Sequence, residues 1–192
     1  MRLAQKIDSE RIVLEHPARP TFKLAEKLYE VVDKSRDTLR EWFPWVDKTN
    51  SAEDEYNYYL VGVCQKKWEN KSAFGYLIYQ KKTRKILGNI NLCSVDEKNH
   101  SAEIGYWLAK DAVGYGYMQE AIRALEKVAF SVGINRIVIK NDVKNLRSTR
   151  VAERSGYIFE GIMRQDAWDE CHNCFRNTNI WSKLKSEWKK NK

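Results

Sequence analysis

The stretch AEIGYWL (102–108) alternates apolar and polar residues, and VGYGYMQEA (113–121) follows it within a few positions. The first segment reads as a strand. Its period of two puts Glu103, Gly105 and Trp107 on one face and Ile104, Tyr106 and Leu108 on the other. The second opens a helix: Met118, Ala121, Ile122, Leu125, Val128, Ala129 and Val132 recur at helical spacing, and Gly133 ends the run. Between them sits the pair Gly114 and Gly116. Two glycines before a helix let backbone amides come close to a ligand, and the helix start offers unpaired N–H groups with a partial positive charge. Together these features suit a pyrophosphate, with an ordinary turn as the alternative. No Gly-Lys-Ser/Thr follows, so the segment is not a Walker A loop. The strand belongs to an antiparallel run and no third glycine falls in register, so it is not a dinucleotide fingerprint either.

Outward from this unit, residues 73–79 and 86–95 read as two further strands, separated from one another and from 102–108 by the polar turns KKTRK and DEKNH. Upstream, RIVLE (11–15) is a first strand. Helical spacing then runs from Thr21 to about Trp42, with a break near Ser35. Residues 49–54 supply N-cap side chains and early acids for a helix reaching about Trp68. Downstream, RIVIK (136–140) is a short buried strand, 145–155 is a helix stopped by Gly156, and 157–168 with 174–184 form a hairpin around DECHN. The expected architecture is a single α+β domain over residues 1–192. Its core spans about 9–188, with a mixed, mostly antiparallel sheet of about seven strands flanked by helices.

Composition fits that reading. The 192 residues are 43% hydrophobic and 31% charged, which excludes a disordered or fibrous chain. No apolar run reaches the ~20 residues a bilayer span needs, and the N-terminus lacks a signal-peptide core, so a cytoplasmic location without membrane contact is expected. The net charge of +8 owes much to Lys183, Lys185, Lys189, Lys190 and Lys192, read as a solvated basic tail. Cys171 and Cys174 form one C-x-x-C around His172. A structural zinc needs four ligands and the other histidines lack ligand spacing, so reduced cysteines in a turn are expected, and no metal.

The second informative segment is NLRSTRVAERSGYIFEG (145–161). Asn145 and Ser148 lie three apart and share a helical face; Ser148 alone also reads as a first-turn capping group. With SERIVLEHP, LREWFPW and AEIGYWLAKDAVGYGYMQEA, this segment resembles the GNAT superfamily of acyl-CoA-dependent N-acyltransferases. Within it, the chain is most similar to the RimJ/RimL-type branch, which acetylates N-terminal amines of ribosomal proteins and has relatives that acetylate small molecules. The resemblance spans about Ser9 to Trp188.

The resemblance implies a splayed sheet with acetyl-CoA between the strand ending at Leu108 and the strand 136–140. The pantetheine arm would pair with backbone from Trp107 to Ala109. The pyrophosphate would rest on the Val113, Gly114, Tyr115, Gly116, Tyr117 and Met118 segment, and Asn145 and Ser148 would face the sulfur end. The usual loop, Gln/Arg-x-x-Gly-x-Gly/Ala, is matched only at Gly116; Val113 and Met118 depart from it. Many members carry a tyrosine acid at the position of Ala152, which alanine cannot replace. The branch instead proposes a serine at Ser148 as the acid that protonates the departing thiolate. Glu103 is the candidate base that takes the amine proton, with Glu160 as runner-up, and the Leu108 amide is the candidate oxyanion donor.

The aromatic cluster Trp42, Phe43 and Trp45, with Tyr56, Tyr58 and Tyr59, is dense enough to wall the acceptor side, with Trp42 and Trp45 as substrate-binding candidates; helix packing is the plainer explanation. The expected reaction transfers an acetyl group from acetyl-CoA to a primary amine. The favoured acceptor is a protein N-terminus, with a transient ribosomal-protein contact. The alternative is a small amine such as an aminoacyl-nucleotide-like antibiotic. A non-catalytic acyl-CoA- or ribosome-binding module is a reading of another class. A basic nucleic-acid binder is disfavoured because no zinc-finger, RRM or helix-turn-helix signature is found.

Overall fold

A computed structural model describes residues 1–170 and 172–190, apart from the side chains of 189 and 190. The strands are β1 (Lys6–Asp8), β2 (Ile12–Glu15), β3 (Phe74–Gln80), β4 (Ile86–Asp96), β5 (Ser101–Leu108), β6 (Arg136–Asp142), β7 (Ile158–Asp169) and β8 (Cys174–Leu184). They form one sheet in the order β1-β2-β3-β4-β5-β6-β8-β7. Every neighbouring pair is antiparallel except β5 and β6. The strand beyond the expected seven is β1, whose three residues are too short to show a period.

Helices cover both faces. On one face, α5 (Tyr117–Ser131) and α6 (Leu146–Arg154) pack with Ile90, Ile104, Ile122, Leu125 and Ile139. On the other lie α1 (Phe22–Asp33), α2 (Arg36–Leu39), a 3-10 turn (Pro44–Lys48) and a long helix, packed with Leu28, Val32, Leu60, Leu77 and Trp107. Ser35 separates α1 from α2 and donates its hydroxyl to the Val31 carbonyl. The long helix starts at the Ser51 cap as α3 (Ala52–Glu55) and ends as α4 (Lys67–Glu69). Between them, Tyr56–Lys66 is wound as a π-helix, a form that favours functional sites. A short helix α7 (Lys185–Lys190) closes the chain.

The expected basic tail needs correcting at Lys183. That side chain is buried on β8, 2.9 Å from the buried Glu126 carboxylate on α5, with its ammonium over the Tyr157 ring. It is an internal cross-brace between β8 and α5. Lys192, and Cys171 of the C-x-x-C, lie outside the described residues. No helix among the described residues is long and apolar enough to cross a membrane.

Candidate active site at the fork in the sheet

Parallel strands separated by a crossover helix are free to diverge, and β5 and β6 do. Their pairing runs from Ser101↔Arg136 only to Glu103↔Val138. Beyond Glu103, β6 keeps its partner β8 and β5 keeps β4, so the facing edges from Ile104 and Ile139 onward open into a fork. The free edge of β5 over 104–108 presents backbone groups that an extended chain can pair with.

The loop after β5 carries the two glycines. Gly114 has φ +94° and Gly116 φ +77°, and Gly116 is the left-handed residue at which α5 begins. A Cβ on Gly114 would meet nothing within 4 Å, so open space lies over this loop. The start of a 15-residue helix points its unpaired amides there. The donor set therefore fits a pyrophosphate, and it does so through main-chain atoms, which the side chains of Val113 and Met118 do not alter. Met118 is buried and lines an apolar groove of about 140 Å3 together with Val113, Trp107, Leu108, Val151, Asn145 and Ser148. Tyr115 is exposed. The Tyr117 hydroxyl accepts a hydrogen bond from Gln80 Nε2 at 3.0 Å.

Asn145 is the N-cap of α6: its Oδ1 accepts the Ser148 N–H at 3.0 Å. The cap belongs to Asn145, so the capping alternative for Ser148 falls away and its hydroxyl is left for other work. That hydroxyl is 2.9 Å from the Tyr106 hydroxyl. Burial pushes the Tyr106 phenol up to about 12, with the Ser148 hydrogen bond pulling the other way, so Tyr106 stays protonated at neutral pH. Tyr106 and Ser148 both line the groove by Met118 and a wider one of about 400 Å3 at the fork. The wider groove also holds Trp42, Glu103, Lys140, Asn145 and Asp166. Glu103 and Tyr106 leave opposite faces of β5, yet the fork lets both reach one space. Glu103 is ion-paired with Lys140 Nζ at 2.9 Å.

Glu160 is elsewhere. Its carboxylate is clamped by Arg136 and the Ser182 hydroxyl and held down to about 2, and it lines neither groove. As the alternative base it is set aside. Trp42, a candidate for the acceptor side, lines both grooves. Trp45 does not join it there: its ring sits 6.2 Å from that of Trp107 and borders a smaller cavity. Arg36 holds this aromatic connection in place through the Val46 and Thr49 carbonyls, at 2.5 and 2.7 Å. A broader cleft of about 710 Å3 is lined by Asp37, Arg40, Glu41, Pro44, Asp47, Glu170 and His172 and contains none of the candidate catalytic, cofactor-binding or substrate-binding residues.

A forked sheet and a capped serine beside a buried tyrosine adjoin two grooves that share Trp42, Tyr106, Asn145 and Ser148, and a left-handed glycine turn opens the helix that carries Met118. The profile described as "Acetyltransferase (GNAT) domain" matches residues 11–158. The chain belongs to the GNAT acetyltransferase family. Among curated relatives, the ribosomal-protein-serine acetyltransferase of Escherichia coli (strain K12) is 30% identical over 149 residues, 74% of this chain and 81% of that protein. Among solved structures, a RimL ribosomal L7/L12 alpha-N-protein acetyltransferase in complex with coenzyme A superimposes with a TM-score of 0.83. It is 25% identical, over 93% of this chain and 97% of that one. The microcin C7 self-immunity acetyltransferase MccE, in complex with acetyl-CoA and AMP, gives a TM-score of 0.80 at 27% identity, over 91% and 93%. These likenesses support the RimJ/RimL-type branch and the α+β GNAT fold.

Sequence reading missed three parts of this GNAT site. Tyr106 was counted only as a residue on the Ile104 face of its strand; its partnership with Ser148 depends on how α6 crosses β5. Arg11 was read only as the start of a strand. Its Nε donates to Glu120 at 2.8 Å, its Nη1 donates to the Tyr115 carbonyl at 2.9 Å, and its guanidinium lies over the Tyr117 ring. The buried Glu120 carboxylate also accepts the Arg11 N–H at 2.7 Å, so β2 is tied to the glycine loop from both backbone and side chain. Asp166 enters the fork groove from β7. Only the basic–acidic pair hinted at the brace, and its 109-residue separation hides it from any local pattern.

Proposed function

We propose that this GNAT enzyme moves an acetyl group from acetyl-CoA to a primary amine, the N-terminal amine of a protein. The observation that carries the site assignment is the Ser148–Tyr106 hydroxyl pair at the fork, beside the free edge of β5. Acetyl-CoA would lie along that edge, its pyrophosphate on the amides of 114–118 and its thioester end toward Ser148. The amine nitrogen attacks the thioester carbonyl carbon; the N–C bond forms and the C–S bond breaks. Ser148, held by Tyr106, gives its proton to the departing sulfur and recovers one through Tyr106 or water. Glu103 draws the surplus proton from the amine, and the Leu108 amide faces the carbonyl oxygen.

A small-molecule acceptor is the second reading. It is favoured by Trp42 in the fork groove, where an aromatic face can stack a planar ring, and by the AMP bound in MccE. One experiment separates the readings. Purified protein is titrated calorimetrically with acetyl-CoA, then assayed for thiol release against aminoacyl-nucleotides and ribosomal N-terminal peptides. Micromolar binding with peptide-dependent release is expected. Release only with nucleotides would move the acceptor to the second class. No binding would overturn both readings and leave a non-catalytic module.

A further inference from the structure

Beside the fork lies a cavity of about 140 Å3 that the acetyl transfer leaves unused. Its sheet side is made by paired residues, Asn89 with Trp107 and Asn91 with Gly105. Gly105 adds no side chain, and a Cβ there would approach only Cys93 Sγ, at 3.9 Å. The π-helical segment brings Tyr58, Tyr59 and Val63 to the opposite wall, and the 3-10 connection brings Phe43 and Trp45. Two polar atoms stand out in this aromatic setting. Glu55 Oε1 and Asn89 Oδ1 are buried and have no hydrogen-bond partner, in residues 3% and 5% exposed. By contrast, the Tyr59 hydroxyl donates to the Tyr76 carbonyl or Asn91 Oδ1, at 3.1 and 3.0 Å.

Both orphaned atoms are acceptors once Glu55 is ionised, and buried acceptors need donors. We infer that this cavity is a specificity pocket for a short alkylammonium arm of the acceptor, whose N–H groups donate to Glu55 and Asn89 within the aromatic lining. An ammonium carries three donors and no acceptor, and aromatic walls attract it when it is desolvated. The volume matches a cavity that takes one benzene-sized guest, which excludes a whole nucleotide. The charged and titratable groups acting on Glu55 are Arg36, Asp54, Tyr59 and Cys64. Burial and Asp54 push its carboxyl up to about 7 while Arg36 pulls it down, and a bound cation at the orphaned oxygen would add to the Arg36 countercharge. Phe43, Gly105 and Tyr106 border both this cavity and the fork groove, so one molecule can enter both. Calling the arm part of the acceptor rests on the acetyltransferase reading; the binding pocket itself does not.

The test is an NMR titration of tryptophan indole signals in the full chain at pH 8, without acetyl-CoA, using n-propylammonium chloride and, as the uncharged probe, n-propanol. Saturable shifts of the Trp45 and Trp107 indoles by propylammonium are expected. Binding should be at least tenfold weaker for propanol and for Glu55→Gln. Gly105→Ala, which projects a methyl into the space, should also weaken it and serves if the glutamine variant fails to fold. Equal binding of both probes, retention in Glu55→Gln, or no saturable shift would overturn the pocket. In the turnover arm, peptides with lysine near the N-terminus should outperform norleucine equivalents about tenfold in kcat/KM, and Glu55→Gln should erase the difference. Equal turnover of the two peptides would remove the arm while leaving acetyl transfer standing.

Discussion

Replacing Ser148 by alanine removes one oxygen from the fork and leaves the glycine loop untouched. The Asn145 cap on α6 survives, because it uses the Ser148 backbone N–H. Acetyl-CoA affinity should therefore change little while turnover falls. Loss of a general acid that donates directly or through water should lower kcat ~10- to 100-fold, about 1.4–2.7 kcal/mol on the barrier. Tyr106→Phe removes only the 2.9 Å hydrogen bond that holds the serine hydroxyl. A neutral bond of that kind contributes about 0.5–1.5 kcal/mol, so kcat should fall ~2- to 10-fold. If Tyr106 acts through Ser148, the double variant should be no slower than Ser148→Ala within about twofold, a marked departure from additivity. Thiol release at saturating acetyl-CoA gives kcat, and calorimetry gives the dissociation constant. An unchanged kcat in Ser148→Ala would take the serine out of the mechanism. Additive losses in the double variant would refute the coupling, and a fall in affinity matching the fall in kcat would reassign both residues to cofactor binding.

Other outcomes follow from the same geometry. Gly116→Val forces a β-branched residue to φ +77°, and acetyl-CoA binding should weaken at least tenfold by calorimetry; wild-type affinity would put the pyrophosphate elsewhere. Arg11→Ala removes the side-chain bonds to Glu120 and the Tyr115 carbonyl while the backbone bond to Glu120 remains, and should weaken acetyl-CoA binding ~3- to 10-fold by the same assay, with kcat at saturation nearly kept, since the half-exposed guanidinium contributes only about 1 kcal/mol. Lys183→Met leaves Glu126 buried without its partner and should cost ~3–5 kcal/mol in urea unfolding, most of it recovered in Lys183→Met/Glu126→Leu. Glu55 binds its proton more tightly folded than unfolded. Stability should therefore fall as pH rises from about 4.5 to about 7, by about 3 kcal/mol from this group, and Glu55→Gln should flatten that part of the urea-midpoint profile against pH.

Much of this enzyme is legible along the chain because its elements carry local signals. Thr21 and Ser51 cap helices where polar residues precede apolar periods, and the alternation of Asn89-Ile90-Asn91-Leu92 and of Ala102-Glu103-Ile104 marks two strands. The glycine turn could be read because a left-handed φ favours glycine, as at Gly114 and Gly116. What escaped depends on distance. No pattern in residues 56–66 distinguishes a π-helix from an α-helix, since the apolar spacing of the stretch reads as helical in either form. Gly88 passed unnoticed, although a Cβ there would lie 2.1 Å from the Trp107 carbonyl oxygen, because that contact exists only once β4 lies against β5. Lys183 looked like tail charge for the same reason: its partner is 57 residues away.

The site follows the same division. Ser148, Asn145 and the loop 113–118 became candidates through the family resemblance, and all three sit at helix starts, where unpaired amides and capping side chains leave a mark in the sequence. The residues missed, Tyr106, Arg11, Glu120 and Asp166, are those through which separate elements meet at or around the fork. A fork of this kind cannot be encoded by one segment. It requires β6 to be held by β8 along Arg136–Asp142 while β5 is held by β4, so that neither edge can close on the other. The cleft at the fork is thus a consequence of strand pairing on its outer sides. Weakening the β6–β8 ladder should damage acetyl-CoA binding even where no ligand-facing residue has changed.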